Sequence, residues 1–437
     1  MYTLILSDKA GKSFQKKEKI LYALTALFFI SLYFPSRPVI NNIFIGLLCA
    51  YCLAFNPVKE KIQLLKQRKA ILCMILFYLL HVVSTGFSVN KPEAVRLLSL
   101  RVPLLIFPIS LGLIFIREEL KDRIIRLFSF VVAVVCLVCL ISAMGVFVKT
   151  HDPAFLYNDS LADILGGMQS IYLALMVNLA IAGYIYLLVT SSPAIAFRAG
   201  AYLIVIFLVV IDFMLASRVA IMYLCLGLLS FSLYYIVKKR KYLEGATLVM
   251  GLLIGSVLLV KVFPKTINRF RELNYTSYQF SNQGVESHYN MAVTADQWNG
   301  ANIRLAVWKC GWELTREHLF TGVPLGDKRG KMQEIFKEKH FDFAYRSERN
   351  MHNTYLDVLC IFGIFGLTLF LLAYFIFPLI SCYRSGDGLG VFLLLAFAFS
   401  MISETVIDRS IGSILLGFFS VFVVAGCRGV VPADYAD

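Results

Sequence analysis

The stretch 126-RLFSFVVAVVCLVCLISAMGVFV-148 carries a single charge, at its first position, and then runs apolar to its end. A helix of about 20 such residues crosses the ~30 Å hydrocarbon layer of a bilayer. Comparable runs recur from residue 20 to residue 427 and are read as twelve spans: 20–35, 38–55, 70–87, 97–116, 126–148, 166–189, 198–214, 218–237, 244–262, 353–377, 389–407 and 411–427. The composition agrees, since 437 residues with 59% hydrophobic and only 16% charged side chains and a mean hydropathy of +0.73 leave too little charge to clothe a soluble surface. The predicted fold is all-α: one polytopic membrane domain over 1–437, with a large loop at 263–351 between the ninth and tenth spans. The first run follows Lys9, Lys12, Lys16, Lys17 and Lys19 without a small-residue cleavage site, so it is read as a retained anchor.

A net charge of +14 raises the question of nucleic acid, and the placement of the charges answers it. The clusters 59-KEKIQLLKQRK-69, 117-REELKDRIIR-126 and 238-KKRK-241 are short and sit between apolar runs. That is the positive-inside pattern of a membrane protein, not a nucleic-acid stripe. With the N-terminus inside, all three clusters are cytoplasmic, and 149–165, 215–217 and 263–351 lie outside. Of the ten cysteines nearly all lie in apolar runs and only Cys310 in the large loop, so neither a disulfide framework nor a zinc motif is expected.

The large loop is more than a linker. Within 300-GANIRLAVWKCGWELTREHLF-320, Ile303, Val307, Cys310 and Leu314 share one helical face and Arg304, Trp308 and Trp312 another. A second amphipathic piece, 328-KRGKMQEIFKEKH-340, follows the turn 321-TGVPLGD-327, and such helices can lie on a membrane surface over a site. Residues 274–299 read as an irregular polar loop.

Ionisable groups kept near hydrocarbon cost about 2.5–3.5 kcal/mol each at mid-span and usually serve a cavity. On this topology several gather at the outer rim: Arg218, Arg304, His352, then Glu404, Asp408 and Arg409, with His81, Arg96 and Arg101 beside them. Each has a plainer reading. Arg218 could snorkel to head groups, Arg304 could be a solvated helix residue, and His352 could be a neighbour of a capping Asn353. Glu404, Asp408 and Arg409 could be a salt-bridge cluster closing a hairpin, and His81, Arg96 and Arg101 packing or lipid contacts. His151, His288, His318 and His340 are read as surface residues. Arginines presented together suit a diphosphate, because the guanidinium fork binds phosphate oxygens bidentately and keeps its charge. A neutral imidazole can accept a hydroxyl proton near pH 7, and His352, read as opening a helix beside arginines, is expected to be held neutral as a base.

Three stretches resemble the bacterial O-antigen ligase and O-antigen polymerase family of membrane glycosyltransferases. They are 215-LASRVAIMYLCLGLL-229, 302-NIRLAVWKCGWELTREHLFTGVPLGD-327 with its Arg-x3-Trp, and 351-MHNTYLDVLCIFGIFGLTLF-370, where His-Asn is followed by Gly363 and Gly366. The turn GVPLGD departs from the family's more usual Gly-x-Gly pair. The resemblance implies transfer of a glycan from undecaprenyl diphosphate to an acceptor hydroxyl at the periplasmic face of the bacterial inner membrane, without metal or cofactor and with inversion at the anomeric carbon. Carried over, Arg218 and Arg304 bind the diphosphate and His352 activates or positions the acceptor hydroxyl. Trp308, Asn353, Glu404, Asp408 and Arg409 are possible supporting residues. The partners implied are the carrier-linked glycan, a lipid A–core or other glycan acceptor, and membrane lipid. A ligase is the favoured reading; a polymerase would use the same site, and a transporter of lipid-linked sugars predicts mid-membrane charges and paired broken helices instead.

Overall fold

The computed structural model describes residues 2–34, 36–190, 195–237, 263–282 and 297–427, with isolated positions between them. Among the described residues there is no sheet, only a single bridge between Glu286 and Trp298. Among the described residues, six helices are long and apolar enough to cross a bilayer: Pro38–Phe55, Lys69–Phe87, Glu118–Thr150, Ser170–Thr190, Phe197–Met214 and Thr354–Ser385. A seventh span is a broken pair, Lys91–Leu100 and Pro103–Leu113, bent by 42°, where Pro103 starts the second helix at its first position. Arg218–Leu233, Gly388–Ser403 and Ser410–Ala425 are shorter apolar helices. The chain is a multi-pass membrane protein. The segment 244–262, expected as a span, lies largely outside the described residues.

Several expected boundaries move. The span expected at 97–116 is the broken pair, the fifth helix begins at Glu118, and the tenth continues from Thr354 to Ser385 through a π-helical turn at Leu372–Ile376. Not every cationic group of the basic clusters is a loop charge. Arg68 is buried and donates to the carbonyls of Gly112, Ile114 and Ala425 at 2.6, 2.7 and 3.4 Å, satisfying helix C-terminal carbonyls that hydrocarbon would leave unpaired.

Ser170–Thr190 and Ser410–Ala425 run through the middle of the bundle, while Leu72, Leu79, Ile141, Leu203, Ile206 and Phe365 point outward, an apolar exterior suited to lipid. A second, smaller core caps one end of the bundle. In it Trp298, Ile303, Val307, Cys310 and Leu314 pack with Met332, Phe336, Phe341 and Met351. The two amphipathic helices, Asn302–Glu317 and Lys328–Glu338, therefore bury their apolar faces against their own segment.

The turn between those helices bolts this cap to the bundle. Leu325 and Gly326 N–H groups donate to Ser84 and Ser88 hydroxyls at 2.9 and 3.0 Å, and Asp327 accepts from the backbone of Val89 and Asn90 at 2.9 and 2.8 Å. A little earlier, the turn pairs with the helix that begins at Thr354: Val323 N–H reaches Cys360 O at 2.7 Å and Ile364 N–H reaches Leu319 O at 2.9 Å. Gly363 makes this possible. Its φ of 65° and ψ of −170° break the helix, and a Cβ there would stand 2.5 Å from Phe320 O.

Candidate functional site

A cavity of about 470 Å³ opens where the cap meets the bundle, and its lining includes Arg218, Arg269, Arg304, Trp308, His352 and Glu404. Each side chain arrives from a different element. A tight turn with Ala216 at φ 52° places Arg218 at the head of its helix. Arg304 extends from the first turn of Asn302–Glu317. Glu404 follows the last residue of Gly388–Ser403.

Gly300 is the point where the arginines meet. A Cβ there would lie 2.7 Å from Arg218 Nη2, 3.3 Å from Arg304 Nη1 and 3.3 Å from Glu272 Oε2. A residue without a side chain leaves room for both guanidinium groups. Arg218 donates to Arg269 O at 3.0 Å and to Glu272 Oε2 at 3.2 Å, and Arg269 Nη1 lies 3.7 Å from Glu272 Oε1. Arg304 donates to Gly300 O, Ser403 O and Glu404 Oε1 at 2.6, 3.1 and 3.0 Å. The other Glu404 oxygen lies 3.2 Å from His352 Nδ1.

His352 does not open the helix as expected. Asn353 is its N-cap, accepting from Leu356 N–H at 2.9 Å, and His352 precedes the cap with a left-handed φ of 45°. Trp308 Nε1 donates to Met351 O at 2.9 Å, and Thr354 Oγ1 donates to Glu404 O at 2.7 Å, so the imidazole and its carboxylate are held from both sides. Burial pushes the Glu404 carboxyl up, but the hydrogen bond and charge of His352, followed by those of Arg304, reverse this and keep it below its ordinary value. Three guanidinium groups (Arg218, Arg269, Arg304) face three carboxylates (Asp159, Glu272, Glu404), so their formal charges balance before the imidazole is considered. Helix N-termini at Ser170, Arg218 and Asn302 also converge here, adding partial positive charge. The arrangement can bind a polyanion and place a nitrogen acceptor beside it.

The trio Glu404, Asp408 and Arg409 does not form one cluster. Glu404 joins the cavity, Arg409 lines a neighbouring one, and Asp408 turns inward. Asp408 is 2.5 Å from Arg101 Nη2 and 3.0 Å from Lys328 Nζ, which is also 2.5 Å from Asp357. This closed cluster ties the cap helix at Lys328 to three bundle segments. Burial pushes the Lys328 ammonium down and the Asp408 carboxyl up. Their partners outweigh this, raising Lys328 above and holding Asp408 well below its ordinary value. Arg101 and His81 are buried in the packing, and Arg96 pairs with Glu93 on the surface.

The sequence reading missed Arg269, Glu272, Asp357 and Lys328. Asp357 carried a signal, as the lone acid in an apolar helix at 354–371. Arg269 and Glu272 lie in 264-PKTINRFRELN-274, where nothing in the spacing separates them from ordinary surface charge.

Residues 176–371 match the family model described as O-antigen ligase. That segment is similar to the O-antigen ligase family. It contains Arg218, Arg269, Arg304 and His352, whereas Glu404 lies beyond it. No curated protein matches the chain. That family is one of glycosyltransferase-like enzymes, and the match supports an O-antigen ligase- or polymerase-like function, which in that family involves a lipid-linked glycan and a glycan acceptor.

Proposed function

We propose that this protein transfers a glycan from undecaprenyl diphosphate to a hydroxyl of lipid A–core oligosaccharide, at the periplasmic face of the inner membrane. The observation that carries the reading is the meeting of Arg218, Arg304, Glu404 and His352, distant in sequence, around one cavity. Twelve spans with the N-terminus inside are proposed with it. The first helix, the broken pair, the three shorter apolar helices and 244–262 would bring the six long helices to that number.

Arg218 and Arg304, joined by Arg269, would hold the diphosphate. Below Arg218, Met222, Leu226, Leu229 and Leu233 form an exposed apolar stripe on one helix face, a path for the polyprenyl chain. With Nδ1–H donated to Glu404, the neutral imidazole keeps the Nε2 lone pair for the acceptor hydroxyl. The hydroxyl oxygen attacks the anomeric carbon from the side opposite the diphosphate. Its proton passes to Nε2, the bond from anomeric carbon to phosphate oxygen breaks, and undecaprenyl diphosphate leaves with that electron pair. One displacement inverts the anomeric centre. Guanidinium groups that balance charge on the departing diphosphate make metal assistance unnecessary in this scheme.

A strain lacking the protein tests the reading on a lipopolysaccharide gel. Lipid A–core bare of glycan is the expected result, whereas a single-repeat product would identify a polymerase using the same site. Complementation should fail for Arg218→Ala, Arg304→Ala and His352→Ala, and full activity in all three would remove the assignment.

A further inference from the structure

A second cavity, of about 320 Å³, adjoins the first. The two share Gln169, just before Ser170–Thr190. Its polar lining is Ser31, Asn41, Asn42, Gln169, Tyr172, Arg409 and Ser410, with Asn41 already donating to Ser31 Oγ at 2.8 Å, and no carboxylate is among its lining residues. Three helices begin at its wall, Pro38–Phe55, Ser170–Thr190 and Ser410–Ala425; the Ser170 N–H is taken by Asp159 Oδ1 at 2.6 Å, and the other two turn their positive ends to the cavity. Arg409 is exposed and has no ion-pair partner among the described residues, unlike the arginines of the first cavity. Tyr172 is 2% exposed, lines the cavity, and has no hydrogen-bond partner for its hydroxyl among the described residues. The rest of the side chain is buried while this hydroxyl is open to the cavity, which leaves it free to bond a ligand group there.

The chemistry of this lining is specific. Amide side chains offer donor and acceptor together, which suits vicinal sugar hydroxyls, and each of Asn42, Gln169 and Tyr172 can serve both roles. An unpaired guanidinium beside two uncapped helix N-termini suits one anionic group and would be wasted on a neutral chain. Phe34, 47% exposed, adds an apolar surface against which a pyranose ring can rest.

We infer that this second cavity is the acceptor subsite and takes a saccharide bearing a phosphate or carboxylate, whose hydroxyl reaches the first cavity past Gln169. The inference rests on the transferase reading but adds to it a separate site, a charge requirement and Arg409 as the residue that meets it.

The test uses the full chain in lipid nanodiscs, undecaprenyl-diphosphate-linked glycan as donor, and lipid A–core with or without its core phosphates as acceptor. Arg409→Gln should raise the acceptor KM about tenfold, in keeping with loss of one charge-assisted contact, and leave the donor KM within about twofold. Arg409→Lys should recover most of the loss, because the charge remains. On the dephosphorylated acceptor, wild type and Arg409→Gln should match. Asn42→Ala, at an exposed position, should raise the acceptor KM with either acceptor. A direct titration of phosphorylated core oligosaccharide should show binding to wild type and weaker binding to Arg409→Gln. Absence of wild-type binding, an unchanged acceptor KM, or an effect on the donor KM instead would each overturn the subsite. Failure of the transferase reading looks different: undecaprenyl diphosphate would then bind wild type and Arg218→Ala equally, whatever the acceptor does.

Discussion

Replacing Glu404 with Gln changes one group whose two oxygens serve two different partners. Oε1 accepts from Arg304 at 3.0 Å and Oε2 lies 3.2 Å from His352 Nδ1. An amide has one acceptor oxygen. If it stays on Arg304, its NH2 faces Nδ1, and the imidazole must move its proton to Nε2 and lose the lone pair meant for the acceptor hydroxyl. Arg304 keeps its bonds to Gly300 O and Ser403 O, and Thr354 keeps its bond to the Glu404 backbone, so the fold and donor binding change little. Loss of general-base assistance is worth about 10²–10⁴-fold in rate, and kcat should fall about 10²–10³-fold with the donor KM within about fivefold. The assay is the initial rate of glycan transfer by purified protein in nanodiscs, followed by mass shift of the acceptor. A Glu404→Gln enzyme with kcat close to wild type would refute the role given to this carboxylate and the tautomer it sets.

Gly300→Ala puts a methyl group 2.7 Å from Arg218 Nη2 and 3.3 Å from Arg304 Nη1. The flexible guanidinium ends should yield, so undecaprenyl diphosphate binding is expected to weaken about tenfold while the unfolding temperature holds, as paired titration and thermal scans would show. Gly363→Ala should be the reverse: with φ at 65° and Phe320 O 2.5 Å away, it should destabilise the cap by about 2 kcal/mol or more, seen as faster proteolysis of 297–351. Asp408→Asn leaves Lys328 and Arg101 short of a buried carboxylate and should lower stability by about 3–5 kcal/mol in a denaturation series. The sign of its pH dependence follows from the shifts. Asp408, held below its ordinary 3.8, contributes fully above that value and loses its contribution as pH falls through the folded value. Lys328, raised above its ordinary 10.5, contributes fully below that value and loses its contribution as pH rises through the folded value. The difference between wild type and Asp408→Asn should therefore be flat from about pH 6 to about pH 9; a steep change near neutrality would show that another group titrates with the cluster.

Helix positions were readable because long apolar runs have few other solutions in a bilayer, and the 3.6-residue period in 300–320 revealed which face of Asn302–Glu317 is buried. What that face packs against was not readable. Lipid and a private core of Trp298, Phe336 and Phe341 attract the same apolar stripe, and only the fold decides between them. Arg218, Arg304 and His352 stood out because charge at span ends is informative. Their shared carboxylate did not, because Glu404 comes near Arg304 only through the packing of Gly388–Ser403, about 100 residues later in the chain. For the same reason Asp408 and Arg409, neighbours in sequence, were grouped together although the backbone sends their side chains to opposite surroundings.

The central claim is that one cavity holds the carrier's diphosphate between two arginines and beside His352. A cryo-EM structure of the full chain in nanodiscs with undecaprenyl diphosphate tests it. The account expects phosphate density about 3 Å from the Arg218 and Arg304 guanidinium groups, with the prenyl chain along Met222, Leu226 and Leu229. Diphosphate density at any other place on the protein, with this cavity vacant, would contradict it.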